Sequence, residues 1–191
     1  MHALIQLDHR LFWLVNHSHN RALDYLMLGA SSLGEYAAVW WVAAVILFMA
    51  NKGNSRQIAV LMASAILLSF FIDDALIKHW WFRERPYLAL EGVHRLGKFW
   101  TNGSFPSGHA SSVVAVSMVL GTYCHRLIVP TVIFTLLTFY SRPYLGMHYP
   151  LDVLVGAVSG LLAGWIVLRV GRRLFGPVQK PTADETQPAV D

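Results

Sequence analysis

SFPSGHASSVVAVSMVLGTYC, Ser104 to Cys124, opens with small polar residues and one histidine and then runs uncharged and apolar to its end. Pro106 closes the extended segment before it. Ser107-Gly108-His109 therefore falls on a helix start, where unpaired backbone N–H groups and the helix dipole favour an anion. Gly108 has no side chain, so a ligand can approach the backbone closely. The run Ala110 to Cys124 carries no charge over 15 residues. It reads as a helix that borrows polar flanks to span a hydrocarbon core of about 30 Å, which needs roughly 20 residues.

Four similar runs surround it: Tyr36 to Asn51, Gln57 to Ile72, Leu127 to Ser141 and Val153 to Leu168, of 16, 16, 15 and 16 residues. The chain of 191 residues is 55% hydrophobic and 14% charged, with a mean hydropathy of +0.45. That balance excludes an ordinary soluble domain. At the N-terminus Leu4, Leu7, Leu11 and Leu14 recur at helical spacing around Asp8, His9 and Arg10, as in an amphipathic helix lying along a membrane surface. Residues 22–34 are apolar but short, and their spacing leaves open whether they cross. The expected fold is all-α: an integral membrane helical bundle with five or six transmembrane helices plus an N-terminal amphipathic helix. The expected divisions are 1–20 for that helix, 21–175 for the membrane domain and 176–191 for a disordered cytoplasmic tail rich in Pro, Thr and acids.

If each run crosses once, the segment from Asp73 to Gly108 and the connection 142–152 emerge on one face. Lys52, Arg56, Arg126, Arg169, Arg172, Arg173 and Lys180 gather on the other. Seven cations there against six on the first face barely separate the sides. The clustered tail cations favour a cytoplasmic C-terminus and an outward-facing polar face. Met1 to Asn20 lacks the basic start, unbroken apolar core and cleavage site of a signal peptide, so the first spans are expected to direct insertion. Cys124, the single cysteine, has no disulfide or metal partner and reads as a packing residue.

Three polar groups meet on the shared face: KHWWFRERP, with Lys78 and Arg85; FPSGHAS, with Ser107, Gly108 and His109; and SRPYLGMHYPLD, with Arg142, His148 and Asp152. Polar residues at the ends of membrane helices are costly unless paired or wetted. One such residue alone reads as an interfacial anchor; their convergence points to an anion site. Lys78, Arg85 and Arg142 place three cations where a dianionic phosphate fits, and arginine's planar fork matches phosphate oxygens. Pro150 suits a first helical turn, so His148 lies just before it and Asp152 just inside. The carboxylate is then close enough to accept the imidazole N–H, leaving the other ring nitrogen free to attack. His109, on a different helix, is the donor of a proton to the leaving oxygen.

K(x6)RP from Lys78 to Pro86, PSGH from Pro106 to His109 and SR(x5)H(x3)D from Ser141 to Asp152 resemble the three-part signature of the type-2 phosphatidic acid phosphatase superfamily. All three parts are complete and in order. The resemblance implies a metal-independent phosphohydrolase with a core of about six helices. It makes His148 the nucleophile of a phosphohistidine intermediate, Asp152 its orienting carboxylate and His109 the general acid. Lys78, Arg85, Ser107, Gly108 and Arg142 would bind the phosphoryl oxygens. The short chain and the SRPYLGMHYPLDVL stretch most resemble bacterial undecaprenyl-diphosphate phosphatases. That implies a multi-pass protein of the bacterial inner membrane whose site faces the periplasm or the outside. Phosphatidylglycerophosphate, phosphatidic acid and lipid A phosphatases share this chemistry, and a lipid phosphotransferase would share the intermediate. The expected partners are a lipid-linked phosphate or diphosphate and the bilayer; no cofactor, metal or nucleic acid is expected.

Other residues are read more plainly. Asp74 lies four before Lys78, the spacing of a helix-face ion pair. Arg83, at a variable motif position, is a candidate contact for a second phosphate, and Glu35 a helix-start acid. Trp80, Trp81 and Trp100 suit an interfacial belt. Gly156, Gly160 and Gly164 form a small-residue stripe that serves internal packing first and a homodimer second.

Overall fold

The computed structural model describes residues 2–176, with no strand among them. In order the helices are α1 (His2–Asn16), α2 (Arg21–Gly34), α3 (Ala38–Ala50), α4 (Ser55–Phe70), α5 (Lys78–Trp80), α6 (Pro86–Ala89), α7 (Gly108–Tyr123), α8 (Ile128–Tyr144) and α9 (Pro150–Phe175). The tail expected to be disordered lies, after Gly176, outside the described residues. Three stretches are long and apolar enough to cross a membrane by length and composition: Arg21–Ala50, Ser55–Trp80 and Pro150–Phe175. At 16 and 17 residues, α7 and α8 are shorter, about 24–26 Å at 1.5 Å per residue.

The run after Ser107 becomes the central helix. Ala110, Val113, Ala115, Val116 and Val119 of α7 are fully buried, and α7 packs against α4, α8 and α9. Its apolar character all round matches that position. The outer faces of α3, α8 and α9 instead expose Val45, Ile46, Ile133, Leu136, Val158 and Leu162, an apolar surface suited to lipid. The glycine stripe of α9 faces inward: a Cβ at Gly156 or Gly160 would overlap the carbonyl of Ser107 or Ser111, and one at Gly164 would stand 2.9 Å from Met118 Sδ. Backbone-to-backbone contact therefore joins the start of α7 to the start of α9, where the polar motifs lie.

Between α2 and α3, Tyr36 and Ala37 adopt left-handed backbone (φ 49° and 58°) and break the long apolar stretch. Both ends of α2 stay on the motif side. Asn20 N donates to the Tyr144 hydroxyl at 3.2 Å, and Gly34 abuts His109. Residues 22–34 thus run across the face that carries the motifs, and α3 departs from it.

On α1 the leucines Leu4, Leu7, Leu11 and Leu14 are exposed, as the spacing predicts, while Asp8, Phe12 and Asn16 form a buried stripe. Asn16 donates to the carbonyls of His94 (3.0 Å) and Tyr144 (3.0 Å) and accepts from His94 N (3.0 Å). A helix with an exposed leucine face is so pinned to the bundle by polar groups. His19 and His94 have ring centroids 3.8 Å apart, and His19 bonds Asp24 at 2.8 Å.

Past Phe70 the chain widens into a π-helical segment, Phe71–Ile77. The register change turns Asp73 inward, where the Ser111 and Ser159 hydroxyls donate to it (2.6 Å from Ser159), and leaves Asp74 outward. Asp74 pairs with Lys78 at 2.6 Å, the i,i+4 contact expected from the spacing.

Candidate active site

His148 lies in the short connection from α8 to α9, buried to 4% exposure. Its Nδ1 donates to the Ser104 carbonyl at 2.6 Å. A carbonyl oxygen only accepts, so the proton sits on Nδ1 and Nε2 keeps its lone pair. The sequence reading gave this contact to Asp152, but Asp152 Oδ2 stands 3.9 Å from Nδ1, beyond hydrogen-bond range. Asp152 is engaged elsewhere: Tyr149 N donates to Oδ2 at 2.9 Å, and Arg83 Nη1 donates to Oδ1 at 2.7 Å. Its carboxylate still faces the imidazole as a nearby negative charge. Burial, and then the positive charges of Arg85 and Arg142, hold His148 well below the ordinary histidine range. The ring is neutral at pH 7.

Arg85 follows the single-turn α5 and precedes Pro86, the N1 residue of α6. Every edge of its guanidinium is held: Nε on the Asn102 carbonyl (3.0 Å), Nη2 on Asn102 Oδ1 (2.7 Å) and Nη1 on the Met147 carbonyl (3.1 Å). Nη1 also stands 3.3 Å from His148 Nε2. Arg142, in the last turn of α8, is equally buried and differently placed. Its Nε and Nη1 have no hydrogen-bond partner among the described residues, nor do His109 Nε2 and Ser107 Oγ. Buried polar groups are ordinarily paired. Four orphans in one region mark it as a place where a polar ligand binds.

Lys78, Arg85, Gly108, His109, Arg142 and His148 line one cavity of about 120 Å³, together with Gly34, Glu35, Tyr36, Trp100, Asn102 and others. Ser107 and Asp152, the other two expected site residues, are not in its wall. Ser107 N donates to the Asp152 carbonyl at 3.0 Å, which ties the start of α7 to the start of α9. His109 enters from the first turn of α7 against Gly34, where a Cβ would lie 3.1 Å from His109 Cδ2 and press the ring by a few tenths of an ångström.

Several participants carry no sequence signal. Ser104 acts through its backbone carbonyl, and Asn102 lies outside all three motifs. Glu35 pairs with Lys98 at 2.7 Å at the cavity rim. Tyr36 meets Trp100 edge-to-face at 5.8 Å. Of the three tryptophans, Trp80 and Trp81 are exposed, and Trp100 lines the cavity. Arg83 makes its contacts with Asp152 and Asp8.

The arrangement can hold a phosphoryl group between cations, the start of α7 and a neutral imidazole whose Nε2 lone pair faces Arg85 Nη1 at 3.3 Å. The sequence model of the PAP2 superfamily matches residues 55–175. The undecaprenyl-diphosphatase BcrC of Bacillus subtilis is 32% identical, over 87% of this chain and 81% of its own length. An undecaprenyl-diphosphatase of Sulfolobus acidocaldarius is 31% identical, over 89% and 80%. The crystal structure of Aquifex aeolicus LpxE superimposes with a TM-score of 0.74 at 31% identity, covering 85% of this chain and 95% of that one.

Proposed function

The chain belongs to the PAP2 superfamily of membrane phosphatases, and from that premise we propose that it hydrolyses undecaprenyl diphosphate to undecaprenyl phosphate through a phosphohistidine on His148. The observation that carries this reading is the environment of His148: Nδ1–H committed to Ser104, and Nε2 facing a cavity shared with Arg142, Lys78, His109 and the start of α7. Nε2 attacks the terminal phosphorus, and the bond from phosphorus to the bridging oxygen breaks. His109, neutral before substrate binds, takes up a proton at Nε2 as the anionic headgroup binds beside it and gives that proton to the oxygen as the lipid monophosphate leaves. Water then attacks the phosphohistidine, His109 takes a proton from it, phosphate departs and His148 regains its lone pair. Arg142, Lys78 and the α7 N–H groups bind the equatorial oxygens, and Arg85, its N–H groups held by Asn102 and Met147, adds its positive charge against the one that builds there. None of these roles calls for a metal, so phosphate release persists in chelator.

The lipid tail stays in the bilayer while the headgroup reaches the cavity, at the outer surface of a bacterial cytoplasmic membrane. The names of the two curated relatives support the choice of polyprenyl diphosphate. The test is purified protein assayed side by side on undecaprenyl diphosphate, phosphatidylglycerophosphate, phosphatidic acid and lipid A, with His148→Ala as blank. Preference for any of the last three refutes the substrate. Label appearing on a second lipid in place of free phosphate refutes hydrolysis in favour of transfer.

A further inference from the structure

Arg83 sits between two buried carboxylates that come from opposite ends of the chain. Nη1 meets Asp152 Oδ1 at 2.7 Å, Nη2 meets Asp8 Oδ2 at 2.7 Å, and the guanidinium lies 3.7 Å over the Tyr149 ring. Asp8 is 4% exposed and Asp152 fully buried. The other Asp8 oxygen accepts Leu151 N at 2.8 Å, so the carboxylate also sits on the first turn of α9. The backbone of Arg83 reaches the nucleophile by a second route: its carbonyl accepts Ser104 N at 2.8 Å, and the Ser104 carbonyl accepts His148 Nδ1. Side chain and main chain of one residue thus hold both neighbours of the imidazole, the carboxylate at 3.9 Å and the carbonyl at 2.6 Å.

Resting on the phosphohistidine reading above, we propose that Arg83 is a positioning residue for His148 and that, through Asp8, it makes the nucleophile's geometry depend on the docking of α1. The chemistry needs this. A carboxylate withdrawn from the imidazole cannot itself fix the ring, and Arg83 keeps it at its station against three forces: Coulomb repulsion from Asp8, the cost of burial, and the free rotation of its own χ angles. One guanidinium between two carboxylates satisfies both with a planar fork, which a lysine cannot do. Burial lowers and the two aspartates raise the Arg83 pKa, with a net rise, so the charge is permanent. Because α1 presents Leu4, Leu7, Leu11 and Leu14 outward and Asp8 inward, its seat on the lipid surface and its hold on the active site are two faces of one helix. Arg83 touches no cavity-lining atom assigned to phosphate and is therefore not itself a catalytic residue.

The test uses the full chain in detergent with undecaprenyl diphosphate, comparing wild type, Arg83→Gln, Arg83→Lys, Asp8→Asn, the double variant Asp8→Asn with Arg83→Gln, and His148→Ala. Arg83→Gln lowers kcat on the order of 100-fold, the scale of a misplaced reacting group, with KM within about twofold. Arg83→Lys recovers part of the loss. Asp8→Asn keeps an acceptor for Leu151 N–H and loses only the charge pair, so its smaller kcat loss vanishes in the Arg83→Gln background. The groups facing His148 are Arg85, Arg142, His109 and Asp152. Removing the Arg83 charge behind Asp152 leaves that set more negative, and the acid limb of kcat moves to higher pH, which a purely structural role would not do. Wild-type kcat in Arg83→Gln while His148→Ala is dead overturns the inference and leaves the phosphatase reading standing. Should Arg83→Gln fail to fold, an Asp8→Asn variant with unchanged kcat overturns it equally. Wild type that releases no phosphate from any lipid overturns the reading beneath.

Discussion

The two banks of the cavity are built on opposite principles. On the His148 bank every polar group is committed: Nδ1 to Ser104, Arg85 to Asn102 and Met147, and Asp152 to Tyr149 and Arg83. On the facing bank Arg142 Nε and Nη1 and His109 Nε2 are buried without partners among the described residues. Under the proposed mechanism a nucleophile has to be held in one tautomer and one direction before substrate arrives, whereas groups that bind phosphoryl oxygens must keep their hydrogen bonds for the ligand. The first bank gains stability from its bonds; the second forgoes stability so that its donors remain available.

That contrast is broken most completely at the nucleophile. His148→Ala abolishes phosphate release, a loss on the order of 10⁴-fold or more, while circular dichroism stays that of wild type. Next come the two arginines, which separate the banks. Arg142→Met costs about 10²–10³-fold in kcat, as for the loss of a transition-state donor. It also raises Tm in detergent, because it removes an unsatisfied buried guanidinium whose burial costs about 1–3 kcal/mol. Arg85→Met loses activity and lowers Tm, since it strands the Asn102 and Met147 acceptors. Equal Tm shifts for the two would dissolve the distinction. Gly156→Ala comes third: its Cβ overlaps the Ser107 carbonyl, and a strain of about 1–3 kcal/mol shifts α7 against α9, read as a lower Tm with a parallel fall in kcat.

Smaller still is the effect of pH on the first chemical step. His148 is held well below the ordinary histidine value by burial and by Arg85 and Arg142. A depressed pKa keeps the imidazole neutral as pH falls through 6.5. Phosphoryl transfer to the enzyme from an activated aryl phosphate, which needs no proton from His109, therefore keeps its rate at pH 6 relative to pH 7 in single-turnover quench. A drop following an ordinary histidine titration would place His148 in a wetter site. Smallest is Lys98→Ala at the rim: its ion pair with Glu35 is exposed on the lysine side, so Tm does not move and only KM changes, by a few fold.

The helical bundle was legible because uncharged runs of 15 or 16 residues have few alternatives, and the cations and histidines because polar groups beside such runs are too costly to be incidental. Ser104 was not legible, since its contribution is a carbonyl that any residue would supply. Arg83 was visible as a charge and a candidate contact for a second phosphate, but its pairing with Asp152 and Asp8 was not legible, because those partners lie 69 and 75 positions away. The direction of residues 22–34 escaped as well: two left-handed residues at Tyr36 and Ala37 turn the chain, and neither is a glycine or asparagine that would have announced it.

What the sequence alone determined, then, is the inventory and its sidedness: a membrane bundle with two histidines, an aspartate and three cations emerging together, because hydropathy and alternation act along the chain and are read one residue at a time. Which acceptor holds Nδ1, which guanidinium is bound and which is left open, and how α1 reaches the surroundings of His148 were decided only in three dimensions. Hydrogen bonds compete, and a group such as Asp152 that satisfies Tyr149 and Arg83 has thereby settled what remains for His148.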